Sequence, residues 1–121
     1  MPDHLHAIWR LPDGDSDYAK RCSLIKSGFS RCQPPIESIR AIRLSKRERG
    51  IWQRRYWEHL IRDEVDLQRH VDYIHYNPVK HGLVNRVIDW PHSTLHRYLE
   101  RGFLSDAWAG SDVDIRGNGE R

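Results

Sequence analysis

Cysteine is scarce in this chain, and its two copies, Cys22 and Cys32, stand at no zinc-binding spacing. No apolar run approaches the length of a membrane span, and the start has no signal-peptide pattern. There is no internal repeat, and low complexity is confined to the end. These absences exclude a disulfide scaffold, a spanning protein and a solenoid. They predict an intracellular protein with reduced thiols, with no membrane partner.

With 121 residues the chain has room for one domain and one modest core. Hydrophobic residues make up 38% and charged residues 31%, the isoelectric point is about 9.1 and the formal charge is only +3. The charge is uneven. Between residues 40 and 55, Arg40, Arg43, Lys46, Arg47, Arg49, Arg54 and Arg55 face Glu48 alone. Such a stretch favours a polyanionic partner. Its neighbours Trp52, Tyr56 and Trp57 suit bases stacking on rings. The two tryptophans are also expected to contribute to the core, together with Trp9 and Trp90. The segment from Ala109 to Gly119 lacks apolar periodicity, and residues 103–121 are expected to form a disordered tail beyond a folded part at 1–102.

Local patterns predict an α+β chain. Residues 3–11 alternate as a strand, with His4, His6 and Ile8 on one face. Pro12-Asp13-Gly14 is a turn. Ser16 is the expected cap of a helix over about 17–31, with Tyr18, Cys22, Ile25 and Phe29 on its apolar side. Pro34-Pro35 ends it, and residues 36–50 read as a loop or a short helix. Gln53–Ile61 reads as a second strand. Asp63 caps a helix over about 64–77, lined by Leu67, Val71, Ile74 and Pro78, with Gly82 as the stop. Asp89-Trp90-Pro91 is a turn, and a last helix covers about 92–101.

Two patterns carry chemistry. A His-x-His pair in a strand, here His4 and His6, sets two imidazoles on one face, close enough to share a divalent ion. On the 64–77 helix, about 100° per residue puts Asn77 about 40° from Tyr73, with Asp66 and His70 also on that side. Tyr76 falls elsewhere, so Tyr73 is the expected partner of Asn77. Asp66 and His70 are candidates for assisting proton transfer; His59, His81, His92 and His96 read as surface or packing residues.

An ordered set of segments runs through the chain: Met1-Pro2-Asp3-His4-Leu5-His6, Ile25-Lys26-Ser27, Trp52-Gln53-Arg54-Arg55-Tyr56-Trp57-Glu58-His59, the run from Tyr73 to Val84, and Asp89-Trp90-Pro91-His92-Ser93-Thr94. In this order they resemble the REP-associated tyrosine transposases, relatives of the HUH single-strand transposases of insertion sequences, over about residues 1–100. The resemblance implies a ferredoxin-like (RRM-like) HUH domain, an antiparallel sheet with packed helices. It implies Tyr73 as nucleophile and His4, His6 and Asn77 as ligands of Mg²⁺ or Mn²⁺. The implied activity is nicking and rejoining of single-stranded DNA near hairpins, through a 5′-phosphotyrosine link and a free 3′-hydroxyl. DNA would be gripped through Arg43, Lys46, Arg47, Arg49, Arg54 and Arg55, by a monomer or a homodimer in the bacterial cytoplasm, at the nucleoid. Family members carry a further strand and helix before the Met-Pro-x-His segment. The resemblance therefore predicts either an internal methionine at position 1 or a truncated copy. A truncated copy would make the chain a catalytically inactive hairpin-binding module.

Overall fold

A computed structural model describes residues 1–34, 50–53 and 55–104 of the chain. Its regular elements are α1 (Tyr18–Cys32), α2 (Glu64–Lys80), a single 3₁₀ turn (Val87–Asp89) and α3 (Leu95–Glu100). Two compact units are present: Met1–Ile8 with His59–Arg121, and Trp9–Glu58.

The expected α+β sheet is not there: among the described residues there is no strand. Residues 3–11 and the described part of 53–61 pair with no ladder. Alternation selects which side chains share a face, but a strand exists only where a neighbouring backbone takes its N–H and C=O groups. Residues 3–11 also cross from one unit to the other at Ile8–Trp9.

In the Trp9–Glu58 unit, α1 begins one residue later than expected. Asp17, not Ser16, is the cap, and its carboxylate accepts the Lys20 N–H at 3.1 Å. Arg21 reaches back to pair with Asp15. The helix has no buried residue; Ile25 and Phe29 of the expected apolar stripe are exposed. Trp52 closes on α1, donating its indole N–H to the Lys26 carbonyl at 3.1 Å and standing edge-on to Phe29. Trp52 is half-buried, whereas Trp57 and Trp9 are exposed, against the core role expected for both.

In the other unit, Asp63 caps α2 as expected, accepting the Asp66 N–H at 2.8 Å. Asn77-Pro78 does not end this helix. Proline in the last turn is accommodated, and α2 runs on to Lys80. Gly82, at φ +68°, then stops it: the Leu83 N–H reaches the Pro78 carbonyl and the Gly82 N–H the Val79 carbonyl, both at 2.9 Å. This is a Schellman closure, whose left-handed residue favours glycine. Gly102 ends α3 in the same way.

Val87 and the fully buried Leu95 form the core of this unit, with Tyr76, Val79, Leu99 and Leu104 packed against them. The face of α2 that periodicity marks as apolar is only half-buried at Leu67, Val71 and Ile74, while Tyr73, His75 and Asn77 are buried. His75 shares a 3.0 Å hydrogen bond with the Thr94 hydroxyl, and its ring meets Tyr98 edge-on. Burial pushes the His75 pKa below its ordinary value, against the opposing pull of Asp72. Leu104 lies within the stretch expected as a tail; residues 105–121 are outside the described residues.

Candidate active site

Tyr73 sits in the middle of α2 with its side chain buried. The His6 ring stands edge-on to it, centroids 5.5 Å apart and planes at 85°. His4 is next to His6, at 4.9 Å and 90°. The fold therefore brings the two histidines of the first segment to the tyrosine of the helix. Asn77, one turn after Tyr73, is 1% exposed, and neither its amide oxygen nor its amide nitrogen has a hydrogen-bond partner among the described residues. A buried amide left in this state is costly unless a ligand completes it.

Three residues join this group that periodicity alone did not assign to it. Asp3 Oδ1 lies 2.6 Å from His4 Nδ1. The histidine beside it lowers the Asp3 pKa, and the contact fixes which ring nitrogen of His4 faces elsewhere. Lys80 Nζ lies 3.4 Å from the Tyr73 hydroxyl and 4.9 Å from its ring centroid. His81 meets His4 edge-on at 5.6 Å. The signals were present in part: Lys80 is seven residues after Tyr73 and His81 four after Asn77, spacings that share a helix side. Tyr76 packs against the Val87–Leu95 core instead.

Asp66 and His70 turn to another partner. Asp66 Oδ2 is 2.8 Å from His59 Nε2, and Asp66 Oδ1 is 3.2 Å from His70 Nδ1.

Of the expected DNA-binding residues, Arg43, Lys46, Arg47, Arg49 and Arg54 lie outside the described residues; Arg55 is exposed. In that same unit Lys26 donates to the Gln53 carbonyl at 2.8 Å and lies 5.9 Å from the Trp52 ring and 5.4 Å from the Tyr56 ring. No described helix is long and apolar enough to cross a membrane.

A helix-borne tyrosine, edge-on to His6 with His4 against His6 in turn, and followed one turn later by an unsatisfied buried amide, has the makings of a tyrosine-nucleophile centre. No protein-family model matches the chain. Individual relatives do. An Escherichia coli K12 protein, a REP-associated tyrosine transposase, is 46% identical over the whole of this chain and 65% of its own length. A Haemophilus influenzae protein, provisionally named a REP-associated tyrosine transposase, is 47% identical over 98% of this chain and 68% of its own length. The solved structure of a REP-associated tyrosine transposase bound to a REP hairpin is 43% identical, with a TM-score of 0.67, over 92% of this chain and 59% of that one. The chain belongs to the REP-associated tyrosine transposase family. It spans about two-thirds of the length of these two relatives.

Proposed function

We propose that the chain binds hairpin DNA and cuts and rejoins an adjacent single strand, with Tyr73 as the nucleophile. The observation that carries this reading is the meeting of Tyr73 with His6, which itself stands against His4, together with the unsatisfied Asn77 amide one turn further along α2. The hairpin in the related structure supports the choice of DNA partner.

In this reading the Tyr73 hydroxyl oxygen attacks the phosphorus. The new bond joins tyrosine to the 5′ phosphate, the bond to the 3′ oxygen breaks, and that oxygen takes up a proton as the phenol gives one up. One phosphodiester replaces another of similar energy, so the strand is rejoined by the reverse step without ATP. A free phenol is a weak nucleophile at neutral pH. The ammonium group of Lys80 near the hydroxyl favours the oxyanion. His4, His6 and Asn77 would hold Mg²⁺ or Mn²⁺ only together with oxygen donors, the Asn77 amide oxygen and the substrate phosphate, because the two imidazoles alone leave most of the ion's shell open. Such an ion supplies charge neutralisation at the phosphate and orients the in-line attack. Asp3 fixes the His4 ring for that purpose. The basic stretch at 40–55 and the exposed Arg55 would track the backbone.

The test uses a labelled single-stranded hairpin oligonucleotide with Mg²⁺ or Mn²⁺. The chain should form a covalent adduct at the 5′ side of the cut. Tyr73→Phe should form none while still binding DNA, and Tyr76→Phe should retain it. Adduct formation by Tyr73→Phe would overturn the assignment. DNA binding without any adduct by the unaltered chain would favour the binding module instead.

A further inference from the structure

We propose that His59, Asp66 and His70 form a binding site for a transition-metal ion of the Zn²⁺ type, separate from the Tyr73 centre. Each offers one ligand atom, and the three atoms lie within 4.8 Å of one another. All three residues are half-buried or buried. The Asp66 carboxylate already sits between the two imidazoles, with His59 Nε2 at 2.8 Å from one oxygen and His70 Nδ1 at 3.2 Å from the other. Metal–ligand bonds of about 2.0–2.2 Å put neighbouring donors about 2.8–3.1 Å apart in an octahedral shell and about 3.3–3.6 Å apart in a tetrahedral one. The two separations run to different oxygens of Asp66, and the three ligand atoms spread over as much as 4.8 Å, so closing on an ion draws the donors inward and takes His70 Nδ1 from its 2.8 Å contact with the Asp66 carbonyl.

The donor set chooses the ion. Two imidazole nitrogens and one carboxylate suit zinc and its neighbours, whereas magnesium and calcium prefer oxygen. Three protein ligands leave a fourth position for water. The scaffold is set locally. Asp66 and His70 are four residues apart on α2 and share one side of it. Asp66 also accepts the Arg62 N–H at 2.9 Å, so its carboxylate is anchored before any ion arrives. His59 comes from the segment preceding the helix; its ring stacks on His70 at 4.5 Å and 17°, and one ring must turn for both in-plane nitrogen lone pairs to meet at one ion. A bound ion would clamp the 59–62 segment to the first turns of α2. It would stabilise this unit in proportion to its occupancy.

The test starts from the chain stripped of metal by a chelator, in a His4→Ala, His6→Ala background that removes the other imidazole pair. Calorimetric titration should show one equivalent of Zn²⁺ and no Mg²⁺ at this site, with a rise in melting temperature. His59→Gln and His70→Gln should each lose that equivalent with unchanged far-ultraviolet circular dichroism. Absence of zinc binding in the background, or retention of the full equivalent in both variants, would reduce the trio to a hydrogen-bonded network and overturn the proposal. A measurement on the unaltered chain needs no variant to fold: the ring ¹⁵N resonances of His59 and His70 should move as Zn²⁺ is added to saturation of both imidazole pairs, and resonances unmoved at saturation would equally overturn it.

Discussion

The ring edge of His6 meets the buried ring of Tyr73 with centroids 5.5 Å apart, joining the first segment of the chain to the middle of its longest helix. Behind His6 stand His4 and the Asp3 carboxylate. A carboxylate hydrogen-bonded to the far nitrogen of a ligating histidine raises its basicity and holds its orientation. Removing such a partner weakens metal binding by about 10–100-fold. Asp3→Ala should therefore raise by that factor the Mn²⁺ concentration needed for half-maximal adduct formation, with saturating Mn²⁺ restoring most of the rate. His4→Ala should not be rescued by the ion.

Lys80 offers the second prediction. Its ammonium lies 3.4 Å from the Tyr73 hydroxyl, and a positive charge this close favours the oxyanion over the phenol. Lys80→Met keeps the aliphatic stem and removes the charge. Adduct formation should slow at neutral pH and recover as the pH is raised, while hairpin affinity changes little. An unshifted pH profile would show that Lys80 packs on the ring without assisting the attack.

The basic stretch is tested through salt. On a single strand, each phosphate that a side chain ceases to neutralise lowers the slope of log affinity against log salt by about 0.7. Replacing Arg54 and Arg55 together by alanine should flatten the slope by about 1.4 and weaken binding alike for unrelated sequences. A slope equal to that of the parent would remove both arginines from the DNA interface.

Stability should hinge on Leu95, which is fully buried beside Val87. Leu95→Ala deletes buried methyl groups and leaves a cavity, at a cost of about 2–5 kcal/mol. Denaturant unfolding of the unit followed by circular dichroism measures this. Tyr76→Phe, at the edge of the same core, should cost far less.

Local chemistry alone determined much of this protein. Asp63 as a cap, Gly82 as a stop and the shared side of Tyr73 and Asn77 follow from hydrogen-bond geometry and the helical period, both set within a few positions of chain. The ordered segments from Met1 to Thr94 pointed to the family, which the relatives establish. The tertiary structure decided the rest. Alternation in residues 3–11 specified a face for His4 and His6 but not a partner backbone, so no strand forms among the described residues. Periodicity placed Tyr73 and Asn77 on a polar side, yet both are buried, because other parts of the chain close over α2. Whether Asp66 serves Tyr73 or His59 could not be read from helix angles. A carboxylate goes to whichever donor the fold brings within hydrogen-bond reach, and His59 arrives there, at 2.8 Å, from outside the helix.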